Sequence, residues 1–259
     1  MPMFSEQRKT EILNLLNEHG SVSLGELMET FSVSEATVRR DLTELESMGR
    51  LRRTHGGAVP RNMSLYESSY AESRLINVES KMSIARACER LVRDNHTVLL
   101  DSGTTTFEIA KQLRHKNITL VTNSVTVVAE FVENGVGNIN FMSTGGQVRP
   151  SFRAFVGPIA EECVRRLVPD ITFISANGFS LERGASTPDV SEAGMKRTML
   201  SCSKHAYLVI DSTKEGNEYF SVIAELRAFD GIVTDSGISE KTREKLHRSG
   251  IRVITEFDV

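Results

Sequence analysis

Near the middle of the chain, the sequence reads Thr97-Val-Leu-Leu-Asp-Ser-Gly-Thr-Thr-Thr106, an apolar run followed directly by a small, polar turn. A short apolar run of this kind predicts a buried β-strand, and a helical pattern follows it through Leu113. Gly103 would let a ligand approach the backbone closely, while hydroxyls and free N–H groups at a helix start suit a phosphate group. The stretch therefore predicts a strand, an anion-binding turn and a helix.

The same unit repeats on the C-terminal side of this stretch. Apolar runs of strand length alternate with amphipathic segments, among them a helix predicted over 126–133. Such alternation, with near-continuous apolar strands, predicts an α/β fold with a doubly wound, mostly parallel sheet that helices cover on both faces. The predicted strands span residues 97–101, 118–122, 139–144, 171–176, 206–211, 231–234 and 251–255.

Small polar residues stand at the carboxyl ends of five of these strands. Ligands of doubly wound folds bind at those ends. One Ser-Gly-Thr-Thr turn alone is more often a helix cap than a ligand site, but five such ends together predict a pocket. The sequence has no G-x-x-x-x-G-K-[ST] and no G-x-G-x-x-G after the first strand, which argues against nucleoside triphosphates and dinucleotides. The candidate ligand contacts are Asp101, Ser102, Gly103, Thr104, Thr105, Asn123, Ser124, Gly145, Gly146, Asn177 and Gly178.

Two lysines are the leading cations for an anionic ligand. Lys196, in the helical segment Glu192-Ala-Gly-Met-Lys196, ranks ahead of Lys214. The alternative for Lys196 is an exposed i,i+4 salt bridge with Glu192, worth about 0.2–0.5 kcal/mol. Arg149 and Arg153 are weaker candidates. Three aromatic residues are expected to fill the core rather than line the pocket, namely Phe152, Phe155 and Phe179.

The first sixty residues carry shorter helical patterns. After a first helix that Gly20 ends, Ser23-Leu-Gly-Glu26 is a capping box that predicts a short second helix ending near Phe31. Ser34 is the predicted N-cap of a third helix, and Gly49 supplies its C-terminal stop. The apolar stripes are Ile12, Leu13, Leu15 and Leu16 in the first helix and Val38, Leu42, Leu45 and Met48 in the third.

The solvent face of the third helix and the segment after it indicate DNA binding. The face opposite Val38 carries small, hydroxyl and arginine side chains, and a helix–turn–helix lets such a face enter the major groove. Residues 50–59 hold three arginines and a Gly-Gly turn, which predicts a hairpin wing on phosphates or in the minor groove. A winged helix can also mediate protein contacts, and that alternative stays open. The predicted DNA contacts are Ser34, Ala36, Thr37, Arg39, Arg40, Thr43, Arg52, Arg53 and His55.

Composition sets the class of protein. The 259 residues include 31 Lys and Arg against 34 Asp and Glu, a net charge of −3, and 39% are hydrophobic, which excludes a polycation and disfavours disorder. The polar start and the absence of long apolar runs predict a cytoplasmic protein without a membrane segment. The widely spaced Cys88, Cys163 and Cys202 are expected to be small buried residues rather than disulfide or zinc ligands. No metal, cofactor or catalytic residue is predicted.

A change of character between the two halves sets the domain boundaries. Residues 61–74 are Ser-rich and lack clear periodicity. We therefore expect a DNA-binding domain over residues 1–60, a linker over 61–74 and an effector-binding α/β domain over 75–259.

These motifs together resemble the DeoR-type bacterial transcriptional regulators. Residues 34–49, followed by Arg53-Thr-His-Gly-Gly-Ala58, resemble the DNA-reading helix and wing of that family. The strand ends at Asp101-Ser-Gly-Thr-Thr105, Thr122-Asn-Ser124, Thr144-Gly-Gly146 and Asp211-Ser-Thr-Lys214 resemble motifs of its effector domain. The resemblance spans nearly the whole chain in the right order.

The resemblance implies a winged helix-turn-helix joined to a sensor domain related to sugar-phosphate isomerases. Its implied partners are double-stranded operator DNA, a phosphorylated sugar or sugar acid, and further copies of the chain in a dimer or tetramer. A regulator of this type usually represses a carbohydrate operon and is released by its effector.

An isomerase-like enzyme with a helical appendage is the alternative. Aldose–ketose isomerisation needs a carboxylate base beside the substrate carbon. The strand end Ser175-Ala-Asn-Gly178 offers Asn177, an amide that cannot take a proton, which favours binding without turnover. Asp101 and Asp211 remain nearby carboxylates.

Overall fold

The chain folds into two compact units, Met1–Ser68 and Ser69–Val259. In the computed structural model, the described residues are 4–19, 21–54, 56–60 and 70–258. Of the linker predicted over 61–74, residues 61–69 lie outside this range, and the part from Tyr70 onward is helical. Among the described residues, no helix combines the length and the apolar character needed to span a membrane.

The N-terminal unit is a winged helix-turn-helix. Its helices begin where the sequence predicts them, because Ser23 forms the predicted capping box with Glu26 and the Ser34 hydroxyl accepts from the Thr37 N–H. The wing hairpin is paired antiparallel, and the short strand before α2 extends it to a sheet of order β1-β3-β2. The elements are α1 (Ser5–His19), β1 (Val22–Ser23), α2 (Leu24–Phe31), α3 (Glu35–Ser47), β2 (Leu51–Thr54) and β3 (Gly57–Pro60).

The core of this unit contains the predicted stripes with one exception. Val38, Leu42 and Leu45 of α3 pack with Ile12 and Leu16 of α1. Met48, predicted as the last member of the α3 stripe, is 61% exposed, because α3 ends at Ser47 and Met48 serves only as the C-cap.

The C-terminal unit alternates strands and helices as predicted. Its described helices are α4 (Tyr70–Leu75), α5 (Val78–Leu91), α6 (Thr104–Gln112), α7 (Val125–Asn134), α8 (Pro158–Arg165), α9 (Val190–Cys202) and α10 (Glu240–Arg248). Its described strands are β4 (Thr97–Leu100), β5 (Thr119–Thr122), β6 (Asn140–Ser143), β7 (Gln147–Arg149), β8 (Ala154–Val156), β9 (Ile171–Ser175), β10 (Gly178–Ser180), β11 (Gly184–Thr187), β12 (Ala206–Val209), β13 (Ser221–Ala224), β14 (Gly231–Val233) and β15 (Val253–Ile254). Short 3-10 turns lie at Leu113–His115, Ser212–Lys214 and Leu226–Ala228.

A seven-stranded sheet of order β15-β14-β12-β9-β4-β5-β6 is the centre of this unit, and every strand pair in it is parallel. Alternate strand residues face opposite layers. Val98 and Leu100 pack with α5, α6 and α7, whereas Leu99 packs with α8, α9 and α10. This confirms the doubly wound α/β fold, and the seven strands are those that the apolar runs predicted.

Two small antiparallel sheets were not predicted. One pairs β7 with β8, and the other has the order β10-β11-β13. Their strands are three or four residues long. Such short segments carry little periodicity of their own, so their pairing depends on tertiary contacts.

The cysteines fit the prediction only in part. All three are free. Cys88 is fully buried, and burial raises the pKa of its thiol well above the ordinary value. Cys163 and Cys202 are only partly buried, in contrast to the prediction.

Candidate functional site

The sheet topology places a polar pocket at the carboxyl ends of the central parallel strands. The chain runs outward from β4 to β5 and β6, then returns to β9 on the other side of β4. Doubly wound folds bind ligands where the strand order reverses in this way. A pocket that encloses about 490 Å³, including the part open to solvent, lies there, with Ser102 after β4 and Ser175 at the end of β9 among its lining residues. We call it the strand-end pocket.

A buried ion pair forms one wall of the strand-end pocket. Asp101 is fully buried, and its Oδ2 accepts from the Nζ of Lys196, which lines the pocket from α9. The same Oδ2 accepts from Ser175 N at 3.0 Å and Ser175 Oγ at 2.8 Å. The Oδ1 atom of Asp101 is also buried and has no hydrogen-bond partner among the described residues. Ser175, at the end of β9, thus fixes the carboxylate of Asp101, which follows β4 and lies 74 residues earlier in the chain. That carboxylate in turn holds the Lys196 ammonium at the pocket.

The N-terminus of α6 opens onto the same pocket. Its N-cap is Gly103, so no side chain caps the first N–H groups. Gly103 has φ +148°, and a Cβ there would lie 3.0 Å from Ser175 Oγ. Glycine is needed for both reasons. Thr104 and Thr105, which follow it, also line the pocket. Uncapped N–H groups at a helix start favour an anion.

Lys214 lines the pocket from the turn after β12, and a network behind it fixes that turn. Its Nζ donates to Ala176 O at 3.1 Å and lies 4.0 Å from Asp211 Oδ2. Asn77, in the left-handed region with φ +51°, donates to Asp211 Oδ1 at 3.2 Å. Lys81 is buried close by, where desolvation and the Lys214 charge lower its pKa to about 8.

Glu192 and Asn177 form another part of the lining. Arg149 Nη1 donates to Glu192 Oε1 at 2.8 Å, and Thr187 Oγ1 donates to Asn177 Oδ1 at 2.9 Å. Since its oxygen is occupied by Thr187, the amide of Asn177 has its NH₂ group for a ligand acceptor. Glu192 and Lys196 are thus both buried and paired with other elements, so the exposed i,i+4 salt bridge considered from the sequence is not formed.

The structure brings a majority of the predicted contacts together. Asp101 borders the pocket through Lys196. Seven others line it directly, namely Ser102, Gly103, Thr104, Thr105, Asn177, Lys196 and Lys214.

The remaining five predicted contacts do not line the pocket, and each has a structural role. Asn123 Nδ2 donates to Phe155 O at 3.3 Å, and Ser124 is the N-cap of α7. Gly145 and Gly146 form a turn with positive φ, where a Cβ on Gly146 would lie 2.9 Å from that of Ala160. The remaining one is Gly178, where a Cβ would lie 2.2 Å from Asn217 O.

Other lining residues were missed or misjudged from the sequence. Tyr70 and Ser73 come from α4, within the predicted linker, and Ser175 is the last residue of β9. Phe152 was expected in the core but lines the pocket, with Arg149 stacked 4.7 Å from its ring centre. Phe179 is buried in the core as predicted. The position of Ser175 at the end of a predicted strand could have identified it as a lining residue. The sequence of α4 has no local pattern that predicts a helix or a contact with the pocket.

The second candidate site is the exposed face of α3. Arg40 has an 82% exposed side chain and lies 3.8 Å from Glu44, while Arg39 is held by Glu35. Ser34 caps the helix and its hydroxyl lies 3.0 Å from Thr37 Oγ1. Ala36 and Thr37 border a groove between α3 and the start of α1. The face is therefore accessible and carries the arginines that the sequence placed on it.

Arg53 in β2 of the wing bonds to this helix. Arg53 Nη1 donates to Thr43 Oγ1 at 2.6 Å, and Arg53 N donates to Glu46 Oε1 at 2.8 Å. These bonds fix the position of β2 beside α3. The predicted contact His55 lies outside the described residues, and of Arg52 only the backbone, in β2, is described.

Together, a winged helix-turn-helix and a doubly wound α/β unit with a polar strand-end pocket define a DNA-binding transcriptional regulator with a sensor domain. The chain belongs to the DeoR family of such regulators. Residues 8–62 match the DeoR-like helix-turn-helix domain, and residues 76–236 match the DeoR C terminal sensor domain.

Relatives match over nearly the full length. The chain is 35% identical to the HTH-type transcriptional regulator GlpR of Haloferax volcanii, over 97% of this chain and 98% of that protein. It is 35% identical to the lactose phosphotransferase system repressor of Staphylococcus epidermidis, over 96% and 98%. Among solved structures, ribose 5-phosphate isomerase A of Methanocaldococcus jannaschii is similar over 54% of this chain and 56% of that one, with a TM-score of 0.40 and 12% identity.

Proposed function

We propose that this protein is a repressor of a carbohydrate or sugar-acid catabolic operon and that a phosphorylated sugar-type effector releases it from DNA. The observation that carries the proposal is the strand-end pocket, where Lys196, Lys214 and the uncapped start of α6 converge. The names of relatives support repression rather than activation, since one is a lactose phosphotransferase system repressor and another a putative aga operon transcriptional repressor of Escherichia coli O157:H7.

In the DNA-reading part of the proposal, α3 enters the major groove of operator DNA. Ala36, Arg40 and Thr43 would face base edges or phosphates, because their side of α3 lies opposite the buried Val38, and Thr37 flanks that side. Ser34 and Arg39 would contact the sugar-phosphate backbone of the DNA beside those residues. The wing would add phosphate or minor-groove contacts through Arg52, Arg53 and His55.

In the effector part, the pocket presents mostly hydrogen-bond donors. Lys196, Lys214, the Asn177 amide and the Thr104 and Thr105 groups at the start of α6 suit a ligand rich in acceptors, such as a phosphate monoester with hydroxyls. Of the carboxylates nearby, Asp101 is bonded through Oδ2 to Lys196 and Ser175, Glu192 to Arg149, and Asp211 to Asn77. Binding without turnover is the chemistry that such a site supports.

The two parts would be linked through an oligomer. A dimer or tetramer would present two recognition helices to half-sites about one helical turn apart. The oligomer would exist in one state whose helix spacing fits the operator and another whose spacing does not. An effector that binds the second state more tightly lowers operator affinity by the difference between its two binding free energies, typically about 1–3 kcal/mol per site.

The test is binding of the full chain to its own upstream DNA at fixed salt, titrated with a panel of sugar and sugar-acid phosphates and with inorganic phosphate. Release by one compound is the expected result. Tight binding that no compound disturbs would contradict the pocket's role as an effector site. Absence of sequence-specific binding would contradict the repressor, and turnover of pentose or hexose phosphates would favour an isomerase-like enzyme instead.

A further inference from the structure

One acid stands at the start of the helix that is proposed to read DNA. Glu35 is the first residue of α3, and its side chain is 53% exposed. The N-terminal residues of a recognition helix are the ones that contact base edges. A carboxylate in that position would lie near the phosphates of a bound duplex and be repelled by them unless a nearby cation offsets its charge.

The contacts of Glu35 supply part of this compensation. Arg39 lies one turn further along α3, and its Nε and Nη2 each lie 2.7 Å from Oε1 of Glu35. Because both guanidinium nitrogens go to the same oxygen, Oε2 is left as an acceptor, and no described residue donates to it. The pair is neutral overall, which removes most of the repulsion from DNA.

A comparison with Glu44 on the same helix sharpens this point. Glu44 also has an arginine four residues away, but its Oε2 accepts from Lys9 of α1 at 2.9 Å. Together with Glu6, Glu44 raises the pKa of Lys9, so this carboxylate belongs to the contact between α1 and α3. Glu35 has no such link to another element among the described residues.

We propose that Glu35 reads a cytosine in the operator, with Arg39 as the residue that positions its carboxylate. Glutamate accepts from the exocyclic N4 amine of cytosine in the major groove, whereas adenine places the N7 acceptor, which repels a carboxylate, beside its N6 amine, and guanine and thymine present acceptors. Arg39 holds Oε1 and neutralises the charge, and Oε2 accepts from the base. The inference rests on the proposed reading of DNA by α3 and adds a base-specific residue to it.

The experiment is selection of duplexes from a random DNA pool by the full chain, followed by affinity measurements on single-base variants of the enriched sequence. The proteins compared are wild type, Glu35→Ala, Glu35→Gln and the control Glu29→Gln. Glu29 is exposed on α2, and its replacement by glutamine removes the same charge from the same unit. Circular dichroism of each variant reports whether the helices are intact.

Wild type is expected to prefer cytosine at one position of each half-site by about 10- to 150-fold, the worth of one hydrogen bond to a charged group. Glu35→Ala should lose this preference at that position alone, and Glu35→Gln should relax it or turn it toward adenine, which glutamine recognises. Glu29→Gln should keep the wild-type preference.

Two other outcomes separate the inference from the function on which it rests. If wild type enriches a sequence and Glu35→Ala keeps every base preference, Glu35 only stabilises the helix and the inference is wrong. If wild type enriches no sequence at all, the proposed reading of DNA by α3 is wrong, and the inference is lost with it.

Discussion

Asp41 in the DNA-binding unit and Asp101 in the sensor unit are both buried against a cation, but the two pairs are built differently. In the DNA-binding unit, Asp41 is bound through both oxygens, Oδ2 by Arg8 Nε at 2.5 Å and Oδ1 by Arg8 Nη2 at 3.1 Å and Ser5 Oγ at 3.0 Å. Within the described part of the sensor unit, Asp101 is bonded through Oδ2, and its buried Oδ1 has no partner. The first carboxylate is satisfied, whereas the second is not.

The two pairs also differ in their surroundings, since Arg8–Asp41 joins two helices and Lys196 lines the strand-end pocket. A buried pair is stable only when its remaining polar atoms are also bonded, and the Arg8–Asp41 pair meets this condition while it joins α1 to α3. An unsatisfied buried oxygen costs about 1–3 kcal/mol. Lys196 also lines the strand-end pocket, so its ammonium is available to a ligand. The sensor unit thus carries an incomplete polar network at its pocket.

The largest expected effect comes from breaking the satisfied pair. Arg8→Met leaves the Asp41 carboxylate buried with only the Ser5 hydroxyl. We expect the N-terminal unit to lose about 3–5 kcal/mol of its free energy of unfolding, as is usual when one partner of a buried pair is removed. Urea denaturation followed by circular dichroism measures it.

The matched control removes both charges. The double variant Arg8→Met, Asp41→Leu should recover most of the loss, since apolar residues of similar volume often replace a buried pair at little cost. A double variant as unstable as Arg8→Met would show that packing, and not the unpaired charge, is responsible.

Breaking the incomplete pair should affect both effector binding and folding, because Lys196→Met also leaves a buried carboxylate without its cation. In Lys196→Met, Asp101 keeps its two bonds from Ser175. We expect the affinity for the releasing sugar phosphate to fall by about 10- to 150-fold, the worth of a hydrogen bond to a charged group, with operator affinity kept. Fluorescence anisotropy of labelled operator, titrated with the compound, measures both.

Lys204→Met is the control for this variant. Lys204 is a mainly exposed lysine of the same unit, paired with Asp170 at 2.7 Å and absent from the pocket lining. It should respond to the compound as wild type does. Unchanged release in Lys196→Met would remove this lysine from the effector site.

The sequence was sufficient for the elements of both units because their signals are local. Ser34 marks the start of α3 by its own hydrogen bond, and Val98 to Leu100 form an apolar run that is buried wherever the strand is placed. Strands such as Gln147–Arg149 have no comparable signal, and only their antiparallel partner makes them strands.

The pocket was predictable only to the level of its strand ends. Asp101 and Lys196 were both expected near the ligand, but the bond between them joins residues 95 apart, and the spacing favoured Glu192 as the partner of Lys196. Asn123 and Gly146 share the small polar character of the lining residues, yet Asn123 bonds to Phe155 O and Gly146 packs on α8. Residue type cannot distinguish a cap or a tight turn from a ligand contact.

An exposed pair in the DNA-binding unit gives a smaller, specific effect. Arg40 lies 3.8 Å from Glu44 with most of its side chain in solvent, so Arg40→Ala should leave the free energy of unfolding unchanged. Operator binding should weaken by about 1–3 kcal/mol with relaxed sequence preference. Affinities for operator and for an unrelated duplex at one salt concentration measure this. Equal losses on both would indicate a phosphate contact, and no loss on either would favour a protein-binding wing.

Lys81 extends the comparison to a buried lysine whose described partners are carbonyls, Ser73 O and Ile76 O, instead of a carboxylate. Its pKa is lowered to about 8, chiefly by desolvation, from 10.5. Between these values the unfolded chain holds more protons than the folded one, so folding is favoured as the pH rises. The free energy of unfolding of wild type relative to Lys81→Met should therefore increase from pH 8 to 10, by at most about 1.4 kcal/mol per pH unit. Unfolding curves of both proteins at several pH values test this, because the subtraction cancels groups common to both. Parallel pH profiles would mean that Lys81 stays protonated through this range, with its charge stabilised by the two carbonyls.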